Sequence, residues 1–404
     1  MGRLRVAFAI LRAQGPRALA RRVLDRASGK VGMRPSLVRY ADAIAVDWSV
    51  PHAAVSAPRP VGKGPFTVAW IISPPGSNSG GHQNIYRFIS FMEAAGHSVR
   101  IYLYSTDLLM SANAVSSMTA GSSSFANVAA PVMQYTDAGV GDDVDAIVAT
   151  GWETAYPAFR DPSSARRVYF VQDFEPYFYA VGTESTLAEN SYRFGFSAIT
   201  AGGWLARKLS DEYGMKTAHY EFAADRSSYS YLNNERRKEI FFYARPGTER
   251  RGFELGLMAL DLFSRARPDY RINLGGEDVK RYPIPFEYNN LGNLPVGDLN
   301  AVYNRCAAAL VLSMTNMSLL PLELIAAGVI PVVNDGPNNV QVTDNPFIEY
   351  SPTAPHALAQ RLIDIVDRTD LPEHARTAAA SIDDTGWERS GKQFLTAFER
   401  VMHG

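Results

Sequence analysis

Arginine side chains in one strand-to-helix turn have the clearest capacity in this sequence to bind an anion. Arg245, Arg250 and Arg251 follow the apolar run EIFFYA and precede a helical pattern that begins at Phe253. Several guanidinium groups in one turn could hold a diphosphate bidentately and neutralise a leaving group. Arginines on an exposed loop are more often only solvated, so the turn has two interpretations.

A glycine- and serine-rich turn is the second candidate. The apolar run FTVAWII ends in SPPGSNSGGHQNIYRF, which leads directly into a helical pattern. Gly80 and Gly81 would let backbone amides approach an anion at the N-terminus of that helix, where the helix dipole favours negative charge. The pattern differs from the dinucleotide signature GxGxxG, so NAD binding is a weak interpretation, and a flexible surface loop is the alternative.

The segment SMTNMSLLPLELIAAGVIPVV, from Ser313 to Val333, is the third candidate. A strand ends there, small polar residues form a turn, and a helix is expected to begin near Leu320 with Glu323 in its first turns. Such a turn offers backbone amides to phosphate oxygens, and a carboxylate one turn into the helix could accept hydrogen bonds from two sugar hydroxyl groups. Alternatively, Glu323 only complements the helix dipole.

These turns need a regular scaffold, and the apolar runs predict one. Continuous runs such as VRIYLY, DAIVAT, RVYFVQ and AALVLS alternate with helical periodicity, as at Ile85, Phe88, Ile89 and Met92. Continuous runs are typical of strands buried on both faces, and helices between them indicate a parallel doubly wound sheet. The rhythm breaks over residues 223–238 and then restarts. We therefore predict an α/β fold with two Rossmann-like halves.

Length supports this division, because 404 residues exceed the size at which one core usually keeps growing. Residues 1–65 are predicted to be a basic segment and linker, with the proline-rich stretch from residue 52 as the linker. Residues 66–225 and 226–385 are predicted to be an N-terminal and a C-terminal Rossmann-like domain. Residues 386–404 are expected to form a helix that packs back on the N-terminal domain.

Composition excludes two kinds of protein, and the distribution of charge suggests where the chain is located. The single cysteine, Cys306, excludes a disulfide framework and a cysteine-built zinc site. Nine Arg and one Lys against Asp25 give residues 1–40 a formal charge of +9. We expect this segment to lie on an anionic membrane surface, with a helix packed on the body or a disordered arm as the alternative. Without a signal-peptide pattern or a long apolar run, we expect a soluble or peripheral protein on the cytoplasmic side of the plasma membrane.

Taken in order, GGHQNIYRF, RPGTERRG, NNLGNLPVGDLNAVYNRC and LPLELIAAGVIPVV make the chain resemble the family 4 retaining glycosyltransferases of the GT-B fold. The segments YFVQDFEPYFYAVGTESTLAENSYRFGF, AITAGGWL and TNMSLLPLELIAAG look most similar to bacterial rhamnosyltransferases, which build polyrhamnose-containing surface glycans from dTDP-rhamnose. The general resemblance covers residues 66–400, and the narrower one mainly residues 168–333. The resemblance implies parallel sheets that face across a cleft, a nucleotide-sugar against the C-terminal half, and a saccharide or lipid-linked acceptor. No nucleic-acid partner is expected.

The resemblance also implies roles for individual residues. Arg245, Arg251 and Asp173 are expected to be catalytic, with Arg250 as an alternative member of the basic pair that holds the diphosphate. Donor-binding residues are expected at Gly81, Arg250, Asn293, Leu294, Thr315, Asn316, Met317, Ser318, Leu319, Leu320 and Glu323. Acceptor-side residues are expected at Gly80, His82, Gln172, Glu175 and Tyr177.

Within the donor set, the resemblance places Asn293 and Leu294 beside the nucleobase, residues 317–320 against the phosphates, and Glu323 on the ribose. The aromatic residues from Phe174 to Tyr179 could stack on acceptor sugar rings, which present apolar faces to aromatic side chains. An interdomain core is the equally weighted alternative for these aromatic residues.

One residue departs from the family pattern. Thr315 stands where the E-x7-E motif has its first glutamate, which in relatives faces the transferred sugar. A 6-deoxy sugar such as rhamnose presents different polar groups, so the change fits a difference in donor, and lost activity is the alternative. A GT-B enzyme with another donor or reaction, such as a 2-epimerase, and a noncatalytic sugar-nucleotide-binding protein are the competing classes.

The reaction that the resemblance implies is a front-face transfer, in which the departing diphosphate helps to deprotonate the acceptor hydroxyl. Positioning and electrostatic stabilisation are then the protein's contributions, and no cofactor or metal is required. We predict that sugar transfer by the purified chain survives EDTA, because arginines and backbone amides meet the charge on the diphosphate. Transfer that disappears with EDTA and returns with manganese would contradict this prediction.

Overall fold

The structure is a computed structural model, and it describes residues 37–47, 60–76, 79–106, 111–122, 124–382 and 386–403. Within these ranges, no helix is both long and apolar enough to cross a bilayer. Most of the predicted linker, like most of the basic segment, lies outside the described residues.

The strands of the described residues are β1 (Thr67–Ile72), β2 (Ser98–Leu103), β3 (Val132–Gln134), β4 (Ala146–Ala149), β5 (Arg166–Val171), β6 (Ser197–Ala201), β7 (Lys216–Tyr220), β8 (Glu239–Ala244), β9 (Arg271–Gly276), β10 (Asn289–Gly292), β11 (Cys306–Val311), β12 (Ile330–Asn334) and β13 (Glu349–Ser351).

The α-helices are α1 (Tyr40–Ile44), α2 (Gly80–Ala94), α3 (Ala112–Ala120), α4 (Trp152–Arg160), α5 (Thr183–Ser191), α6 (Gly203–Tyr213), α7 (Phe253–Ala266), α8 (Val296–Tyr303), α9 (Leu320–Ala326), α10 (Pro337–Val340), α11 (Pro355–Val366), α12 (Leu371–Ala380) and α13 (Gly386–His403). Short 3-10 helices cover Glu175–Phe178 and Glu249–Arg251.

Strands β1 to β7 belong to one parallel sheet and β8 to β13 to another, which confirms the predicted α/β fold with two Rossmann-like sheets. The described residues divide into two compact units, one up to residue 167 and one from residue 168. In the first unit the strand order is β3-β2-β1-β4. The second unit contains β5-β6-β7 and the six-stranded order β10-β9-β8-β11-β12-β13. The domain boundary expected near residue 225 stays a prediction.

The strand order determines where ligands can bind. In the second sheet the order reverses between β8 and β11, which pair directly. In the first unit it reverses between β1 and β4, which also pair directly. Open parallel sheets bind ligands beyond the carboxyl ends of the strands at such switch points. The three candidate turns follow β1, β8 and β11, so each lies at a switch point.

The burial of each strand explains whether it could be predicted from the sequence. Residues 68–72 of β1, all of β4 and all of β11 are buried, as continuous apolar runs predict. Four strands were not predicted from apolar runs. They are β3, β7, β10 and β13, which are terminal in the strand orders and partly exposed. A terminal strand needs fewer apolar residues because one of its edges has no neighbour in the sheet.

The last helix, α13, packs on β6 and β7. Phe394 lies edge-on to Phe170 with the ring centroids 5.8 Å apart, and the Ser390 hydroxyl donates to the Glu221 carbonyl at 2.7 Å. The Gln393 side chain accepts a hydrogen bond from the Glu221 backbone at 2.9 Å. Helix α13 therefore covers strands that lie far before it in the chain.

A glycine in α7 sets the distance between this helix and β8. A Cβ atom on Gly256 would lie 2.1 Å from Cζ of Phe242, a fully buried ring that stacks on Phe253. We predict that Gly256→Ala lowers the free energy of unfolding by about 1–3 kcal/mol, because an overpacked core must shift. Gly297→Ala in α8 is the control, since a Cβ there meets nothing within 4 Å. Urea unfolding measures both variants, and equal midpoints for the two would contradict the prediction.

Candidate functional site

The turn after β8 holds Arg245 against an acidic partner that sequence analysis did not identify. Arg245 Nε donates to Glu277 Oε1 at 2.8 Å, and Arg245 Nη1 donates to the Tyr243 hydroxyl at 3.1 Å. The second Glu277 oxygen accepts a hydrogen bond from the backbone N–H of Gly247 at 3.1 Å. Glu277 therefore fixes both the turn and the guanidinium group, and any anion bound by Arg245 shares it with this carboxylate.

Arg250 and Arg251 lie in the 3-10 helix that follows. The Arg250 guanidinium lies over the Phe178 ring, with its carbon 4.0 Å from the centroid. Arg251 Nη1 donates to the Asn316 carbonyl at 3.2 Å, and the Arg250 carbonyl accepts from the backbone N–H of Met314 at 2.9 Å. These contacts join the arginine turn to the loop after β11. Both alternatives for the second basic residue thus lie at the same loop.

A buried carboxylate completes this cluster. The Thr315 hydroxyl donates to Asp173 Oδ2 at 2.7 Å, and both residues are buried. Asp173 Oδ1 accepts from the backbone N–H of Phe174 at 2.8 Å. The residue at the departure from the E-x7-E pattern is therefore the hydrogen-bond partner of the aspartate predicted to be catalytic. The structure brings Asp173, Thr315, Asn316, Arg250 and Arg251 together.

Burial and charge act in opposite directions on these groups. Burial raises the pKa of Asp173, while the Thr315 hydrogen bond and the charges of Arg251 and Arg250 oppose that rise. Burial also lowers the pKa of Arg250, and the charge of Asp173 opposes this effect. Removal from water penalises each charged form, and the opposite charge nearby offsets part of that penalty.

Two buried donors in the cluster lack acceptors. Arg250 Nε and Asn316 Nδ2 have no hydrogen-bond acceptor among the residues that the structure describes. Buried polar groups in proteins are nearly always paired, so such groups commonly mark the place of a ligand or an ordered water. A ligand with phosphate or sugar oxygens would supply the acceptors.

The loop from Ser313 to Ser318 is held in a fixed conformation. Asn334 accepts from the Ser313 N–H at 2.8 Å and donates to its carbonyl at 2.9 Å. The Ser313 hydroxyl donates to the Asn316 carbonyl at 2.6 Å. Ser318 has a left-handed backbone with φ of 64°, and its N–H donates to Asn316 Oδ1 at 2.8 Å.

Helix α9 begins directly after this loop. It starts at Leu320, as predicted, and no side chain caps its first turn. Met317 is fully buried, whereas Ser318, Leu319 and Leu320 are partly exposed. The predicted phosphate turn is therefore a rigid loop that leads into a short helix, and its binding role stays a prediction.

Glu323 has a tyrosine partner that the sequence did not indicate. The partly buried Glu323 carboxylate accepts a hydrogen bond from the Tyr229 hydroxyl, and this contact together with burial raises the pKa of Tyr229. Tyr229 in turn stacks on Tyr303, with the ring centroids 5.7 Å apart. Glu323 is thus held by a side chain from the polar segment before β8.

Other predicted residues of the second unit lie outside these contacts. Asn293 is exposed and Leu294 partly buried after β10. Glu175 is buried, where its carboxylate accepts from the Tyr169 hydroxyl at 3.1 Å, while Tyr177 is about half exposed. Gln172 is partly buried at the end of β5. The aromatic segment contributes Phe178 beneath Arg250, a contact that neither sequence interpretation anticipated.

The first unit holds a separate polar cluster at its own switch point. His82 Nε2 lies 3.0 Å from the Ser73 carbonyl, which can only accept, so Nε2 carries a proton, and Nδ1 lies 2.8 Å from the Ser79 hydroxyl. Burial lowers the pKa of His82, which favours the neutral form. Gly80 and Gly81 are exposed at the start of α2.

Glu153, which sequence analysis missed, belongs to the same cluster. It follows β4, it hydrogen-bonds with the Ser73 side chain, and burial raises its pKa. A Cβ atom on Gly151 would lie 2.9 Å from its carboxylate, so a larger residue at position 151 would require that carboxylate to move. The signal available in the sequence was an acidic residue four positions after the end of a buried strand, in the first turn of the next helix.

Metal binding finds no support among the described residues, where no group of three or more His, Cys, Asp or Glu is arranged to hold an ion. The expected independence of metal nevertheless stays a prediction until it is measured.

Comparisons with known protein families match both halves of the chain. The family described as "WsaF, N-terminal domain" matches residues 134–201, and "WsaF, C-terminal domain" matches residues 238–363. The O-antigen biosynthesis protein RfbC of Myxococcus xanthus is 32% identical over 362 residues, which are 87% of this chain and 28% of RfbC. The chain therefore spans less than a third of this curated relative.

Solved structures show the same fold. A variant of S. aureus TarM, in complex with Fondaparinux, alpha-GlcNAc-glycerol and UDP, matches with a TM-score of 0.65 and 7% identity, over 84% of this chain and 100% of that one. Anabaena HepE in complex with UDP matches with a TM-score of 0.61 and 13% identity, over 83% and 100%. The likeness establishes two parallel-sheet Rossmann-like domains of the GT-B type.

The buried aspartate leads to a pH-dependent prediction. Because burial raises its pKa in the folded state, the folded chain binds more protons than the unfolded one, and wild-type stability falls as pH rises through the folded pKa. Asp173→Asn removes this contribution and can still accept from Thr315. We predict that the variant melts at the same temperature as wild type or higher near neutral pH, with the difference shrinking towards about pH 4.

Thermal melts of both proteins over this pH range measure the effect. A variant that is less stable than wild type near neutral pH would show instead that Arg250 and Arg251 hold the carboxylate as a stabilising anion.

Proposed function

We propose that the chain is a retaining glycosyltransferase that moves L-rhamnose from dTDP-rhamnose to a saccharide acceptor in surface glycan synthesis. The observation that carries this proposal is the pair of buried donors, Arg250 Nε and Asn316 Nδ2, beside a carboxylate. Groups of this kind fit a ligand with several anionic oxygens joined to a polar sugar. The matches to the WsaF families and to RfbC support the same class.

The arginine turn would act on the leaving group. Arg251 and Arg250 would donate to the phosphate oxygens, and Arg245 would contribute while remaining paired with Glu277. Negative charge on the diphosphate grows as the bond to the anomeric carbon breaks, so fixed guanidinium groups stabilise the transition state more than the ground state. Their positions are set before the donor binds, because Phe178 and Asn316 hold them.

Asp173 and Thr315 would face the transferred sugar. Asp173 keeps one hydrogen bond from Thr315 and one from its own loop, and its remaining lone pairs can accept from a sugar hydroxyl. Its negative charge would also stabilise the positive charge that develops on the ring as the diphosphate departs. The departing diphosphate would take the proton of the acceptor hydroxyl, so the proposal needs no separate catalytic base.

Glu323 would bind the nucleoside. Its carboxylate accepts a hydrogen bond from Tyr229, and in this proposal it would also accept one from a ribose hydroxyl. A deoxyribose offers only the 3′-hydroxyl there, which limits the contribution of Glu323 to donor affinity. Asn293 and Leu294 beside the base, and the contact of residues 317–320 with the phosphates, belong to the same proposal.

The acceptor side and the location of the enzyme complete the proposal. Gly80, His82, Gln172, Glu175 and Tyr177 would bind a saccharide or lipid-linked glycan. The basic segment, residues 1–40, would hold the enzyme on the cytoplasmic face of the anionic plasma membrane, where lipid-linked acceptors lie.

The proposed transferase activity is tested by measuring how much dTDP the purified chain releases from dTDP-rhamnose. The measurement is made with and without a rhamnose-containing acceptor. We expect acceptor-dependent release and a product with the donor's anomeric configuration by NMR. Parallel reactions with UDP- and GDP-sugars test the donor. Turnover only with another donor would overturn the rhamnosyl assignment, and donor binding without turnover of any donor would overturn the enzymatic one.

Matched arginine variants test the site within the same assay. Arg250→Met should reduce turnover at saturating donor by at least about ten-fold, because a hydrogen bond to a charged group contributes roughly 1.5–3 kcal/mol. Arg193→Met is the control, since Arg193 also lies over an aromatic ring, 5.0 Å from the Tyr213 centroid, on an exposed helix end. Equal activity of the two variants would remove the diphosphate assignment.

A further inference from the structure

Helix α1 presents an apolar face to solvent. Tyr40 and Ile44 are 78% and 80% exposed, and their spacing of four residues places them on one side of the helix. Leu37, three residues before the helix begins, is 40% exposed. Large hydrophobic side chains with this degree of exposure are scattered elsewhere in the described chain. Three such side chains within residues 37–44, two of them on one face of α1, are therefore an unusual surface feature.

The opposite side of α1 is fixed to the first unit. Val38 and Asp42 are buried, and the Asp42 carboxylate accepts from the Tyr104 hydroxyl at 2.8 Å and forms an ion pair with Arg160. The Arg39 backbone N–H donates to the same Tyr104 hydroxyl at 2.9 Å. These contacts hold Asp42 against the first unit, so Tyr40 and Ile44, on the other side of α1, face outward.

Charge identifies the partner of this face. Residues 1–36, which directly precede it, contain eight Arg and one Lys against Asp25, a formal charge of +8. The nearby acidic residue Asp137 lies 3.6 Å from Arg39 and 4.0 Å from Arg160, so its charge is met by two arginines. Apolar residues next to a strongly basic segment match a surface with an apolar interior and anionic headgroups.

We propose that Leu37, Tyr40 and Ile44 insert into the headgroup region of an anionic bilayer and set the depth at which the enzyme sits. The two aliphatic side chains would enter the acyl boundary, and Tyr40 would place its hydroxyl at headgroup level, where tyrosine is enriched. The basic segment would add electrostatic attraction, and Asp42 would transmit the anchoring to the folded unit. This inference rests on the membrane contact in the proposed function, and it names the residues that would make that contact.

Vesicle sedimentation of the full chain at low salt tests the proposal. The lipid probes are phosphatidylcholine vesicles with and without phosphatidylglycerol. We expect wild type to bind only the anionic vesicles and the variant Leu37→Ser/Tyr40→Ser/Ile44→Ser to bind them at least about ten-fold more weakly, because three apolar side chains no longer leave water. The control is Val181→Ser/Leu232→Ser/Met258→Ser, which changes three other exposed hydrophobic residues and should bind as wild type does.

A charge variant, Arg17→Gln/Arg21→Gln/Arg22→Gln/Arg26→Gln, separates the two parts of the proposal. If it loses binding while the α1 variant binds like wild type, the electrostatic contact stands and the insertion is overturned. If wild type ignores anionic vesicles, both are overturned, while dTDP release in solution still reports on the enzymatic proposal.

Further measurements test whether the α1 variant is still folded and whether residue 40 enters the bilayer. The α1 variant should keep the wild-type urea midpoint, because the changed side chains are exposed. Tyr40→Trp should gain fluorescence quenching by brominated lipids over wild type, as an inserted indole requires. No gain in quenching would overturn insertion, and a wild-type dimer that the α1 variant abolishes would assign the face to a second copy of the chain instead.

Discussion

The hydrogen bond between Thr315 and Asp173 is the interaction on which the candidate site depends. It joins residues 142 positions apart, from the loop after β5 and the loop after β11. The carboxylate lies where its charged form is penalised by burial, and so does the Arg250 guanidinium beside it. Each charge makes the burial of the other tolerable. The two charged groups therefore compensate each other in part, while burial remains the largest influence on the pKa of each.

Partners outside the cluster determine how much freedom each side chain has. Arg245 donates to Glu277, and Glu323 accepts from Tyr229. Each of these two side chains therefore uses part of its hydrogen-bonding capacity within the protein. Arg250 differs, because Phe178 restrains it without accepting its hydrogen bonds. A site built in this way is preorganised, since a ligand meets groups that no longer need to be ordered.

The scaffold could be predicted from the sequence because a strand that is buried on both faces is a continuous apolar run, as in β1, β4 and β11. The same pattern did not predict β10 or β13, where exposure on one side allows Asn289 and Glu349 into a strand. For the site, local spacing predicted Arg245, Arg250 and Arg251 in a strand-to-helix turn, and Glu323 near the start of a helix. Their partners Glu277, Tyr229 and Phe178 come from distant segments, and no local pattern encodes a contact made only by the folded chain.

The packing of α13 on β6 and β7 has a consequence for any attempt to prepare the two sheets separately. The chain forms β5, β6 and β7, then the whole of the second sheet, and only then the helix that covers Phe170. The second sheet is thus an insertion within the covalent path of the first. A fragment that stops after β7 would lack the last helix and would expose the aromatic surface that Phe394 now covers. A fragment covering residues 226–382 would contain the second sheet and would also lack that helix. Cutting the gene at one point cannot release two intact halves, and co-expression of the last helix with the N-terminal fragment would be needed to restore the missing cover.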